Sequence, residues 1–123
     1  MFGFTCSISY ISIFLLHGYS SSSFFDQNVM AIGKHYMLNN QETDRSGVNE
    51  IIDEKTIMEL YFPAFEAMAP YVSGYMCAYN RINNIYACEN KHTLNKMLKG
   101  YANFSGFIVS DWGTFLFNDC YCF

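Results

Sequence analysis

Three short apolar runs, separated by segments of helical periodicity, constrain this chain more than any other feature. Val29-Met30-Ala31-Ile32-Gly33, Gly74 to Tyr79 and Gly106-Phe107-Ile108-Val109-Ser110 read as strands, because each is brief, apolar and bounded by polar or turn-forming residues. Between the first two, Asp53 stands where it can cap a helix in which Ile57, Leu60, Tyr61, Ala64, Phe65 and Met68 recur with helical period. Pro63 is expected to kink or divide that helix, since it lacks an N–H to donate. Between the second and third runs, Asn90 to Lys99 reads as an amphipathic helix with Leu94, Met97 and Leu98 on its apolar side and Gly100 as its stop signal. The order β-α-β-α-β predicts an α/β fold of parallel strands joined by helical crossovers.

Each predicted strand ends in a polar or aromatic cluster: Lys34 and His35, then Tyr79 and Asn80, then Asp111 and Trp112. In parallel α/β folds ligands sit beyond the carboxyl ends of the strands, where loops converge. One such pair is ordinary surface chemistry, but three at successive strand ends should face a common site. A carboxylate beside an indole, with a cation and an imidazole nearby, suits a sugar, which offers hydroxyls to charged partners and a C–H face for stacking. The chain has no glycine-rich phosphate loop. In a retaining glycosidase one carboxylate attacks the anomeric carbon and a second carboxyl, about 5 Å away, protonates the leaving oxygen. Asp111 is the candidate nucleophile. Lys34 and His35 would hold sugar hydroxyls and favour its ionised form.

Charge and composition narrow the alternatives. Seven Lys and Arg against eleven Asp and Glu give a net charge of -4, without runs of one sign, which argues against a nucleic-acid partner. The 123 residues, 51% hydrophobic, suffice for one small domain, whereas a complete eight-stranded α/β barrel takes roughly 200 to 250. Five cysteines with no CxxC pair make a structural metal site a poor expectation, and Cys120-x-Cys122 is a weak argument for a small metal or redox protein. Cys77 and Cys88 either bridge or remain two small buried thiols. Residues 2–16 are mostly apolar, interrupted by Ser7, Ser9 and Ser12, and fall short of the roughly 20 apolar residues that span a bilayer. They read as the apolar region of a signal peptide without its positive start, as an ordinary hydrophobic segment, or as an unrelated stretch. Localisation stays undecided between these readings, with secretion as one outcome.

Four blocks carry a family resemblance. Lys34-His35-Tyr36-Met37-Leu38-Asn39-Asn40-Gln41-Glu42-Thr43-Asp44-Arg45 is followed by Asp53-Glu54-Lys55-Thr56 with Glu59-Leu60-Tyr61-Phe62-Pro63-Ala64-Phe65, by Met76-Cys77-Ala78-Tyr79-Asn80-Arg81-Ile82-Asn83 with Ala87-Cys88-Glu89-Asn90, and by Gly106-Phe107-Ile108-Val109-Ser110-Asp111-Trp112-Gly113. In this order they resemble the amino-terminal (β/α)8 (TIM) barrel of glycoside hydrolase family 3, on its β-glucosidase side. The resemblance implies that Asp111 is the catalytic nucleophile and that Lys34 and His35 bind the first sugar. It places Tyr79 beside the nucleophile, makes Met76 a neighbour of the subsite, and gives Trp112 a stacking role. Arg45 is expected to support a loop, and Glu42 and Glu59 to be structural or helix-surface carboxylates. Lys34-His35-Tyr36-Met37-Leu38 departs from the Lys-His-Phe-Pro-Gly pattern of the β-N-acetylhexosaminidase members, which favours the glucosidase-like or xylosidase-like branch. No cofactor or metal is implied.

The matched blocks correspond to about three of the eight barrel strands. The expected organisation is a hydrophobic segment at 1–25, a partial barrel domain at 26–114 and a divergent tail at 115–123. The expected substrate is a β-linked glucoside or oligosaccharide, with no nucleic-acid partner and no membrane span. In the resembling β-glucosidases the acid/base Glu comes from a following α/β domain that nothing here matches, so the chain alone is expected to be inactive. The alternative is a non-catalytic, degenerate fragment with at most weak sugar binding. Unpaired sheet edges are expected to promote self-association and poorly cooperative melting.

Overall fold

The computed structural model describes residues 30–114. The apolar segment at 1–25, the tail at 115–123, Val29, and Cys6, Cys120 and Cys122 lie outside the described residues. Strands β1 (Ile32–Tyr36), β3 (Gly74–Cys77) and β6 (Phe107–Ser110) form a parallel sheet in the order β1-β3-β6. Two helices cross over between them, so the expected α/β arrangement of three parallel strands and two helices is present. A second, small sheet joins β2 (Asn49–Glu50), β4 (Arg81–Ile82) and β5 (Ile85–Tyr86) in the order β2-β4-β5. It was not readable from hydrophobic pattern, since two-residue strands carry no period. Asn83 and Asn84, at φ 50° and 74°, form the β4–β5 turn, where asparagine tolerates the left-handed region.

Strand β1 begins and ends three residues later than the sequence suggests. Lys34 and His35 lie inside it rather than beyond its end, and an irregularity in pairing explains how the strand tolerates them. Lys34 pairs with Met76 but Tyr36 pairs with Cys77, so β1 spends two residues against one on β3 and His35 is the extra one. Side chains two apart on a regular strand share a face. The bulge instead leaves Lys34 on the exposed face and turns Tyr36, fully buried, towards the helices. Strand β3 stops at Cys77, two residues short of the expected end.

The first helix, α1, opens with a turn at Glu54–Thr56, widens at Ile57–Tyr61 and resumes normal pitch at Phe62–Met68. Asp53 caps it as expected, its carboxylate accepting from the Thr56 N–H at 2.9 Å and the Thr56 hydroxyl at 2.7 Å. In the wide segment the Phe62 N–H reaches back five residues to the Ile57 carbonyl. Pro63 sits just past this junction, in the first turn of the segment of normal pitch, and so divides the helix by hydrogen-bond register. The added residue shifts the apolar phase: Phe62 enters the core, whereas Leu60, expected on the buried side, is half exposed.

Asn90 caps the second helix, α2 (His92–Tyr101), its side-chain oxygen accepting from the His92 and Thr93 N–H groups at 3.1 and 3.3 Å. Gly100 does not end it. The chain leaves the helix at Asn103, whose φ of 50° is the left-handed conformation common at helix ends.

The core lies between the sheet and the two helices. Tyr36, Phe65, Tyr75 and Phe104 form a chain of edge-on or tilted ring contacts with centroids 4.8–6.0 Å apart. Met97 and Leu98 close it from α2. Both buried phenols reach main-chain acceptors, Tyr36 at the Thr93 carbonyl (2.7 Å) and Tyr75 at the Phe65 carbonyl (2.6 Å), and burial pushes both hydroxyls well above the ordinary tyrosine range. Each strand is thereby tied to a different helix. A β-carbon at Gly33 would lie 2.6 Å from the Tyr75 ring, so glycine is required for this close approach. Cys77 and Cys88 form a disulfide with Cα atoms 5.2 Å apart, which settles the choice the sequence left open.

Candidate active site

The carboxyl ends of β1, β3 and β6 converge on Asp111, the first residue after β6. Its carboxylate is buried to 6% side-chain exposure, and its Oδ2 stands 3.3 Å from His35 Nε2. The bulge at His35 delivers that imidazole to the end of the sheet. The other carboxylate oxygen, Oδ1, accepts the Trp112 N–H at 2.7 Å. The Trp112 N–H thus holds one carboxylate oxygen while the His35 imidazole faces the other.

Beyond β6 the chain folds into a tight turn over residues 111–114. The Asp111 carbonyl accepts the Thr114 N–H at 3.2 Å and the Thr114 hydroxyl at 2.7 Å. Gly113, at φ 76°, takes the third turn position, where a left-handed conformation favours glycine. A β-carbon there would meet nothing within 4 Å, so backbone conformation alone selects the residue. The turn holds Trp112 outward at 84% exposure, beside the carboxylate and free to stack on a ligand.

Tyr79 closes the other side. Its hydroxyl donates to the Trp112 carbonyl. Burial, then the charge and hydrogen bonding of Asp111, push the Tyr79 phenol above its ordinary range, while Arg45 partly opposes the shift. The ring lies 4.6 Å beneath the Arg45 guanidinium. Glu42 holds Arg45 at 2.9 Å and accepts from the Asn39 amide at 3.0 Å. The loop after β1 thus reaches the nucleophile candidate through Glu42, Arg45 and Tyr79, a route that sequence reasoning reduced to loop support. Only the placement of Arg45 in the Asn-Gln-Glu block signalled it.

Lys34 and Met76 occupy the next row of the sheet. They pair in register with Val109, two residues before Asp111, and Lys34 is exposed while Met76 is half-buried. Asn80, grouped by sequence with Tyr79 at the strand end, turns inward instead. It is fully buried and donates to the Met37 and Arg81 carbonyls at 3.2 and 3.3 Å, joining the loops after β1 and β3. Glu59 is an exposed helix-surface group with Lys55 at 4.0 Å. A cavity lined by Leu38, Asn40, Asp53, Thr56 and Tyr61 lies at the start of α1 and includes neither Asp111 nor His35.

Comparison with known proteins gives this geometry a lineage. β-Glucosidase cel3A of Pyricularia oryzae is 44% identical over 85 residues, covering 68% of this chain and 12% of that enzyme. The described segment is homologous to part of the glycoside hydrolase family 3 β-glucosidases. DesR, a β-glucosidase from Streptomyces venezuelae solved in complex with D-glucose, superposes with a TM-score of 0.68 at 41% identity, covering 70% of this chain and 11% of that one. The GH3 β-glucosidase of Bifidobacterium adolescentis reaches a TM-score of 0.72 at 35% identity, over 83% of this chain and 15% of its own. No family model matches the chain. It spans about an eighth of the length of the curated β-glucosidases it matches, and no helix among its described residues is long and apolar enough to cross a membrane.

Proposed function

We propose that this segment carries the nucleophile half of a retaining β-glucoside-hydrolysing site, with Asp111 as the attacking carboxylate. The placement of Asp111 carries the reading: a buried carboxylate at a strand end, held by the Trp112 N–H and faced by His35, beside an exposed indole. Oδ2 or Oδ1 would attack the anomeric carbon to form a glycosyl ester, later hydrolysed by water. His35, beside the carboxylate, and Lys34 bind sugar hydroxyls. Tyr79 remains a neutral phenol at ordinary pH, its one proton donated to the Trp112 carbonyl, so it adds no second negative charge beside the nucleophile. Trp112 stacks on the C–H face of the sugar, and Met76 borders it. Retaining hydrolysis also needs a carboxyl acid about 5 Å from the nucleophile. Among the described residues the side chains that face the Asp111 carboxylate, His35 and Tyr79, bring no carboxyl.

Two experiments separate the chemistry of the site from the competence of the chain. The purified chain should give no turnover of an aryl β-glucoside above background. A family 3 β-glucosidase in which residues 30–114 replace the homologous segment should hydrolyse the same substrate, and Asp111→Asn in that chimaera should lower kcat by on the order of 10⁴ or more. A folded chimaera without activity, or one indifferent to Asp111→Asn, would sink the assignment. Turnover by the chain alone would overturn the half-site reading.

A further inference from the structure

The turn that ends α2 displays a chemistry unrelated to the sugar site. Asn103-Phe104-Ser105 is an Asn-x-Ser tripeptide without proline at its centre, the acceptor pattern for N-linked oligosaccharide transfer, and it occurs once in the chain. The tripeptide alone is common by chance, so its presentation matters. Asn103 and Ser105 are exposed, while Phe104 between them is buried against the Tyr75 ring at 4.8 Å and donates its N–H to the Leu98 carbonyl at 3.1 Å. Anchoring the middle residue fixes the outer two towards solvent. Asn103 adopts a left-handed conformation at φ 50°, and its side-chain amide makes no hydrogen bond among the described residues.

Two further observations bear on it independently. The turn precedes β6, whereas Asp111 comes after it, so a glycan on Asn103 would project from the opposite end of the sheet and leave the sugar site open. A disulfide such as Cys77–Cys88 forms and persists in oxidising compartments, a setting in which such acceptors are modified. We propose that Asn103 is a site of N-glycosylation. In the transfer, Asn103 Nδ2 bonds to C1 of the first sugar of a lipid-pyrophosphate-linked oligosaccharide. The C1–O bond to pyrophosphate breaks, the lipid pyrophosphate departs with that electron pair, and one amide proton passes to a base of the transferase. The Ser105 hydroxyl is the recognition group.

The test is expression of the full 123-residue chain behind a secretion leader in a eukaryotic host, with cells and medium pooled so that retention does not hide the product. Peptide N-glycosidase treatment in ¹⁸O-water should convert Asn103 to labelled Asp, located by peptide mass spectrometry. Ser105→Ala, which leaves the left-handed position untouched, and Asn103→Gln should both abolish the label, and Ser105→Thr should preserve it. An unmodified Asn103 in chains whose Cys77–Cys88 bridge has formed would overturn the proposal, as would a label that survives Ser105→Ala. Chains recovered both reduced and unmodified overturn it equally, because the oxidising passage on which it rests would be absent.

Discussion

Opening the Cys77–Cys88 bridge should loosen the strand end that carries Tyr79. The two cysteines are 11 residues apart, and closing a loop of that length removes roughly 9 cal/mol/K from the unfolded ensemble, or about 3 kcal/mol at 25 °C. On a marginal fold that is a large share of the total, since stability runs at about 0.05–0.15 kcal/mol per residue. Native-state hydrogen exchange reads the effect without requiring one cooperative melt. The informative amides are Ala78, which donates to the Tyr36 carbonyl at 2.7 Å, and Ala87, which donates to the Asn80 carbonyl at 2.9 Å. Both lie within the loop that the disulfide closes. If they exchange through opening of this unit, reduction should speed them roughly a hundredfold. A Cys77→Ala/Cys88→Ala variant should already exchange at the faster rate and ignore reductant, which separates this bridge from reactions at Cys6, Cys120 or Cys122. A change below about threefold in the wild type, with the bridge shown to be open, would refute the loop-entropy reasoning.

Three other contacts can be perturbed singly. Tyr36→Phe strips the Thr93 carbonyl of its phenol donor and should destabilise the fold by about 1–3 kcal/mol, measured by urea denaturation; an unchanged midpoint would show that the carbonyl finds another donor. Arg45→Ala removes the cation over Tyr79, so the phenol should titrate higher still, read by ultraviolet difference spectroscopy; a fall in its pKa would contradict the stacked arrangement. The Asp53 carboxylate is held below its ordinary range by hydrogen bonds from the Thr56 side chain and backbone. Because the folded pKa is depressed, that cap stabilises α1 above the unfolded value near 3.9 and is lost as pH falls through the folded value. Wild type should therefore lose stability on acidification by more than Asp53→Ala does; parallel pH profiles would remove the cap from the account.

The alternation of strands and helices was legible because apolar runs and helical periods are local signals. Its errors were local too. Lys34 looked like the polar end of a strand because a bulge, which has no compositional mark, is what lets β1 continue past it. Leu60 looked buried because the period assumed an ordinary helix, and the wide turns at Ile57–Tyr61 changed the phase. Gly100 looked like a stop, but the Ala102 N–H still reaches back to the Met97 carbonyl, and the chain turns away only where Asn103 takes the left-handed position. At the candidate site, residue types and order were legible while distances were not. Nothing in the spacing of His35 and Asp111 announces a 3.3 Å pair, and the inward turn of Asn80 depends on two loops that meet only in three dimensions.

The bulge in β1 also sets what kind of change this chain can absorb. Lys34, His35 and Tyr36 serve three environments in succession: an exposed sheet face, the carboxylate of Asp111 and the aromatic interior. A substitution at one of them alters one environment. Deleting His35 would restore two-residue alternation, leaving Tyr36 to choose between the open face and a break in pairing with β3, and would remove the Asp111 partner in the same stroke. Over these three positions the count of residues is under tighter physical constraint than their identity, so a change of length inside the strand should be rejected where a single substitution is absorbed.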